Sequence, residues 1–258
     1  MWFIGIIKLE IYFLSHYRQY KPELAVILHS HIPYDVLFAV IVGCQYILHN
    51  TYDVILEWFR KWIIADHVPA SSHVIQSKLD IIRYLGIDDS DTRMEIPCEI
   101  EQLDKGNYHI VGFQMGASTQ ERRCPVKYFV ELAQKLIGFP RELELPEEFF
   151  TLLPEKYRSN IENLVGKTSL PNLLSQIKIM DVLVTGDTCL LHLAITLQCP
   201  TVSLFVTADP MWMGPYQDLH LHIVIDKGNV PTDGTIKSMH DITVNEVFHS
   251  TICRLKNY

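Results

Sequence analysis

Two loops in the second half of the chain carry residue types that can hold an anion. The first, Gly116-Ala117-Ser118-Thr119-Gln120-Glu121-Arg122-Arg123-Cys124-Pro125, joins small residues, two hydroxyls and two arginines. Small residues let a backbone approach a ligand, hydroxyls donate, and guanidinium groups neutralise phosphate. The second lies in VLVTGDTCLLHLA. It places Asp187 at a helix N-cap position, Thr188 and Cys189 at the helix start, and His192 one turn in. The plain readings are an ordinary strand-to-helix loop with solvated arginines, an Asp that only caps its helix, and a His satisfied within one. Both loops follow strands, however. Free N–H groups and positive dipole ends then collect at the carboxyl edge of one sheet, where open α/β sheets bind ligands. On these residues alone, an anion site and two ordinary loops are equal readings.

A third loop, VTADPMWMGPY, brings Trp212 and Tyr216 after a strand. It either stacks on a base or closes over a sugar, or it is a surface loop whose aromatics pack down. His220 and His222 fall on one face of a strand, but no nearby Cys or carboxylate completes a metal set, so the pair reads as structural. No Asp-x-Asp stands on a loop of the second half. Neither a metal nor a cofactor is expected.

The elements that must position these loops follow from hydrophobic period. Glu23–Ser30 (ELAVILHS) reads as a buried strand running into a loop, and Val36–Leu48 is apolar throughout, so period does not separate helix from strand there. A Ser cap before Val74, with Ile75, Leu79, Ile82 and Leu85 at helical spacing, predicts a helix that Gly86 stops. After the polar, Gly-containing stretch Glu99–Asn107 the alternation is regular. Strands are predicted at 109–115, 181–185, 201–205 and 220–225, and helices at 125–137, 169–180, 188–198 and from Thr243 to the end, the last opening with a Thr-x-x-Glu capping box. Strands alternating with helices predict an α/β fold with parallel sheets. A domain boundary is placed at the polar stretch, giving domains 1–104 and 105–258.

Composition sets the outer limits. With 258 residues, 48% of them hydrophobic, the chain has ample material for a buried core, and its charged content of 20% excludes a disordered chain. Twenty-two basic against 30 acidic side chains, a net charge of −8, argues against a nucleic-acid binder, so any anionic ligand must be held locally. Six cysteines without a C-x-x-C pair read as scattered thiols of a reducing compartment. The opening MWFIGIIKLEIYFL, with Lys8 and Glu10, is too short and too charged for a membrane span, and it lacks the basic start and small-residue cleavage site of a signal peptide. That opening reads first as a core strand or helix and second as a contact with a membrane surface, and a cytoplasmic protein is expected.

Over Leu164–Tyr216 the chain resembles the ADP-heptose:lipopolysaccharide heptosyltransferases, glycosyltransferase family 9. The segment is similar to the family's run of Gly-Lys-Thr-Ser-Leu, then Asn/Gly-Asp-Thr-Gly-x-x-His, then Asp-Pro…Trp-Gly-Pro. VGFQMGASTQERRCPVKYFVELAQKL is similar to its Gly-Ala-Ser…Lys-x-Trp-Pro segment, and ELAVILHS and the helix ending YLGI to later parts of its N-terminal domain. The resemblance implies a GT-B architecture of two Rossmann-like domains with parallel sheets, the N-terminal one incomplete. It implies an ADP-heptose donor bound mainly by the C-terminal domain, inverting transfer, and the lipopolysaccharide inner core as acceptor. The membrane contact would then be peripheral, at the inner face of the inner membrane.

Carried over by position, Ser118 is a hydroxyl near the diphosphate, with Thr119 beside it among the donor-binding residues. Arg122 falls where the family has a phosphate-binding Lys. Asp187 binds the sugar, the N–H groups of Thr188 and Cys189 bind the diphosphate, and His192 supports that loop. Cys189 departs from the family's Gly, and Cys124 from its Trp. The chain is compressed between Ile137 and Asn163, with Ile137–Glu142 (IGFPRE) as the remnant of a strand and Gly-rich turn. The family's general base stands in an early Gly-Asp, whereas the sole Gly-Asp here is Gly186-Asp187. The expectation is therefore a chain shortened at its N-terminus with an unassigned base. Asp35 and Asp53, both in Tyr-Asp-Val, are the alternatives, with Asp35 carried forward. The rival expectation is a non-catalytic or truncated relative that binds the nucleotide without transferring sugar. An NAD-dependent Rossmann enzyme is disfavoured, because no G-x-G-x-x-G follows an early strand.

Overall fold

Short Val/Ile/Leu runs bounded by turn residues become strands, and amphipathic stretches between them become helices. The computed structural model describes residues 17, 19–28, 34–49, 64–68, 72–88, 90–107, 109–117, 120–136, 152, 154–158, 161–228 and 238–256. The opening apolar segment, Asp53, Ser118, Thr119 and IGFPRE lie outside these. The chain forms two compact units, Met1–Thr92 and Arg93–Tyr258. This division precedes the expected boundary at residue 104. Arg93 already pairs with Asp218 (2.7 Å), and the Met94 N–H donates to Gln217 Oε1 (2.8 Å), so the polar stretch after Thr92 belongs with the second unit.

In the first unit β1 (Leu24–Ile27) leads to α1 (Tyr34–Val42), β2 (Tyr46–His49), β3 (Ile64–His67) and α2 (Val74–Tyr84). The strands are parallel in the order β1-β2-β3. The continuous apolar run from Val36 to Leu48 resolves into a helix and a strand because Gly43 adopts φ +108, a conformation open to glycine, and ends α1. Ile27, Val36, Ala39, Cys44 and Ile47 form the core between α1 and the sheet. The N-cap of α2 is His73 rather than a serine: its Nδ1 accepts from the Ile75 N–H at 3.2 Å. The buried face of α2 centres on Ser77 and Ile81, so the expected stripe through Leu79 and Leu85 is displaced; Leu85 is exposed. Gly86 does stop this helix, at φ +75.

In the second unit β4 (Val111–Gln114) is followed by α3 (Val126–Leu136), α4 (Glu155–Arg158), α5 (Leu170–Ile179), β5 (Val182–Gly186), α6 (Cys189–Thr196), β6 (Thr201–Phe205), α7 (Pro210–Met213), β7 (His222–Asp226) and α8 (Val244–Lys256). The four strands are parallel in the order β4-β5-β6-β7. The helices predicted from Pro125, Ser169, Thr188 and Thr243 all form. Ser169 caps α5, and Thr243 and Glu246 close the capping box of α8, with Thr243 N–H to Glu246 Oε2 at 2.9 Å and Glu246 N–H to Thr243 Oγ1 at 3.2 Å. His220 lies in a 3₁₀ turn, Leu219–Leu221, so β7 begins only at His222 and the two rings do not share a strand face.

Both faces of this sheet are covered, which is why β5 reads as an unbroken buried run. Val182, Val184, Val202 and Leu204 pack under α3 and α8. Leu183 faces the other way, toward Ile177 of α5 and Ala194 of α6. Gly112 has no side chain because Met180 and Leu183 occupy the space where a Cβ would stand. The helix after β4 therefore lies on one face and the helix after β5 on the opposite face. Adjacent parallel strands whose connections diverge in this way open a crevice at their carboxyl ends, the switch point at which α/β sheets take ligands.

Candidate functional site

That crevice is where the two candidate anion loops meet. Gln114 ends β4 and stands in register with Thr185 of β5. A 3₁₀ turn, Gln120–Arg122, carries Arg122 across the gap. One of its terminal nitrogens, Nη2, donates both to the backbone carbonyl and to Oδ2 of Asp187. The Asp187 side chain is 8% exposed and that of Arg122 28%. A pair this sheltered is held more firmly than a surface ion pair, and each partner depends on the other for charge compensation.

Asp187 thus anchors an arginine instead of capping a helix. The N-cap of α6 is Thr188, with φ −143 and ψ 170, and no side chain caps the helix there. Cys189 and Leu190 are its first two residues, so their N–H groups have no acceptor within the helix. Their direction, together with the helix dipole, makes the opening of α6 a place for negative charge.

A cavity of about 570 Å³ lies over this end of the sheet. Arg122, Asp187, Thr188, Cys189 and His192 line it, joined by Gln114, Gly116, Ala117, Leu190 and Met213. Five of the seven donor-binding residues expected from sequence therefore converge on one cavity. Asp35 sits in the first turn of α1, in the other unit. A second cavity, about 550 Å³, shares Gln114, Gly116 and Leu190 with the first and continues along Cys124, Leu164, Val165, Gly166 and Thr168. Burial pushes the Cys124 thiol up to about 12, so it lines that cavity as a neutral group.

Sequence reasoning missed Gln114 and Thr185, which join the two loops beneath the cavity, and Met213, which lines it where Trp212 or Tyr216 was the aromatic expectation. The Gly166-Lys167-Thr168 turn was visible only through the resemblance; Gly166 has φ +69. Among the described residues no three His, Cys, Asp or Glu side chains gather as metal ligands. No helix among them is long and apolar enough to cross a membrane.

Known proteins resemble this chain in sequence and in fold. The sequence model of glycosyltransferase family 9 (heptosyltransferase) matches residues 63–242, more than half of the chain. Lipooligosaccharide heptosyltransferase 2 of Haemophilus influenzae is 30% identical over 123 residues, 44% of this chain and 36% of that protein. Lipopolysaccharide heptosyltransferase 2 of Salmonella typhimurium is 28% identical over 116 residues, 41% of this chain and 33% of that protein. The matched region thus spans about a third of the length of these curated relatives. Among solved structures, a family 9 glycosyltransferase from Veillonella parvula superposes with a TM-score of 0.71 at 18% identity, covering 96% of this chain and 79% of that one. The E. coli heptosyltransferase WaaC, solved with ADP, does so with a TM-score of 0.71 at 19% identity, covering 98% and 80%. At these identities the superpositions show the fold, the GT-B-type α/β architecture with parallel sheets. Taken with the family model, they place this chain in glycosyltransferase family 9.

Proposed function

We propose that the second unit binds the diphosphate of an ADP-heptose donor in the crevice above β4 and β5. The chain then transfers the heptose, with inversion, to the lipopolysaccharide core. The observation that carries this reading is the meeting of Arg122 with the uncapped N-terminus of α6 at one cavity. A diphosphate needs a cation and directed N–H donors, and this arrangement offers both without a metal. The adjoining cavity, with apolar Leu164 and Val165 beside Thr168, takes the nucleoside. Family membership supports the heptosyl donor and the core acceptor.

In an inverting transfer the acceptor hydroxyl attacks the anomeric carbon from the side opposite the diphosphate. The new C–O bond forms as the bond to the diphosphate oxygen breaks, and the hydroxyl proton passes to a carboxylate. Arg122 and the N–H groups of Cys189 and Leu190 stabilise the charge that grows on the departing diphosphate. Asp187 uses Oδ2 to hold Arg122; Oδ1 takes no partner among the described residues and is assigned to a sugar hydroxyl. Ser118 and Thr119 are assigned as further donors to the diphosphate, and His192 as a support of the loop. The first unit, residues 1–92, is assigned the acceptor side, with Asp35 the first candidate for the proton-accepting carboxylate.

A second reading, nucleotide binding without transfer, is favoured by one observation. The carboxylate of the sole Gly-Asp, at 186–187, is committed to Arg122. Titrating the full chain with ADP-heptose and assaying transfer to a deep-core acceptor separates the readings. Binding with an inverted product supports the enzyme, binding without product selects the second reading, and no binding removes both.

A further inference from the structure

Thr185 is the one polar residue in the buried run of β5. It has no exposure, and neighbouring Val182, Leu183 and Val184 show that an apolar side chain suits the strand. Its hydroxyl lies 3.2 Å from Gln114 Oε1, 3.3 Å from Thr188 Oγ1 and 3.1 Å from its neighbour's carbonyl, Gly186 O. Gln114 in turn donates through Nε2 to Gly116 O. One hydroxyl has one proton, and a single direction satisfies every member of the chain. Thr188 O–H donates to Thr185, Thr185 O–H to Gln114, and Gln114 Nε2–H to Gly116. The chain runs from the start of α6 to the loop after β4, beneath the cavity that both loops line.

We propose that Thr185 is a positioning residue of this site, its hydroxyl setting the spacing of the two loops and keeping the N-terminus of α6 open for an anion. The second effect follows from the missing cap. A threonine at an N-cap ordinarily turns its oxygen onto the N–H of the second or third helical residue. Here the Thr188 hydroxyl is drawn inward to Thr185, no side chain caps the helix, and the first N–H groups of α6 stay available. Without the Thr185 hydroxyl, Thr188 turns back to cap α6 and competes with the ligand. The loop after β4 also loses the hydrogen bond that orients Gln114. The proposal rests on the nucleotide-binding reading above.

The test compares ADP affinity and thermal melting of the full chain in Thr185→Val, which keeps the shape and removes the hydroxyl, and Thr185→Ser, which keeps the hydroxyl. Losing one coupled hydrogen bond predicts roughly tenfold weaker ADP binding in Thr185→Val. Thr185→Ser is expected within about twofold of the parent, although its lost methyl lowers the melting temperature. A purely structural Thr185 would shift melting in both without separating their affinities. Equal affinity of Thr185→Val and the parent, or equal loss in both variants, overturns the proposal. If Thr185→Val does not fold, Gln114→Met breaks the same chain from β4. It is expected to weaken ADP roughly tenfold, and unchanged affinity there overturns the proposal as well. A parent chain that binds no ADP instead removes the nucleotide reading, a different and recognisable failure.

Discussion

Arg122 and Asp187 make unequal contributions to the site, and the inequality can be worked out from their contacts. Arg122→Ala removes the cation assigned to the diphosphate and leaves the Asp187 carboxylate, 8% exposed, unpaired beside the ligand's own negative charge. Loss of a charge-assisted hydrogen bond costs about 2 kcal/mol, and the uncompensated carboxylate adds about 1 kcal/mol more of repulsion. ADP should therefore bind on the order of a hundredfold more weakly. Asp187→Ala is milder toward ADP, because the backbone carbonyl at position 187 still accepts from Arg122. A loss of about 1 kcal/mol, roughly fivefold, is expected. The double variant should bind ADP better than Arg122→Ala alone, since the stranded carboxylate is gone. ADP-heptose should lose more than ADP does in Asp187→Ala, because the sugar contact is lost as well. Titration calorimetry at fixed, low salt measures all four proteins. Strict additivity, or a larger ADP loss in Asp187→Ala than in Arg122→Ala, would refute the reasoning.

Other expectations are independent of that pair. ADP affinity should be the same in EDTA as in magnesium, since N–H groups and arginine neutralise the diphosphate; affinity abolished by EDTA and restored by magnesium contradicts this. Burial lowers the His222 pKa to about 4, with its Nδ1 3.0 Å from Thr201 Oγ1. The neutral ring's contribution is whole above the unfolded value near 6.5 and is lost as pH falls from there toward 4, on the order of 2 kcal/mol. Melting temperatures of His222→Gln should accordingly fall less steeply over that range than those of the parent. Thr243→Ala removes one arm of the α8 capping box and should cost about 1 kcal/mol in denaturant unfolding, with unchanged ADP affinity.

The second unit was legible in the sequence because its signals are local and mutually consistent. Ser169 caps α5, Thr243 and Glu246 frame α8, and β5 and β6 are short runs of strand length built around β-branched Val and Thr. Misreadings arose where two residues compete for one role. Asp187 and Thr188 both suit an N-cap, and only the partner 65 residues away, Arg122, decides that Asp187 serves elsewhere. His73 likewise displaces the serines as cap of α2, since imidazole Nδ1 accepts an N–H as an oxygen does. The stripe of α2 was misplaced because Leu79, Ile82 and Ile81 are all apolar, and period alone does not choose which faces Leu48 and Val68. The Gln114–Thr185–Thr188 chain was beyond sequence reasoning: it depends on the β4–β5 register, which no local pattern encodes.

The most direct test of the central claim, that the crevice above β4 and β5 holds the diphosphate, is amide-resolved NMR of the full chain titrated with ADP. The largest shifts are expected on the amides of Cys189 and Leu190 and on the Arg122 side chain, with saturation at the calorimetric affinity. Saturable shifts confined to residues 17–92, with the start of α6 unmoved, would contradict it.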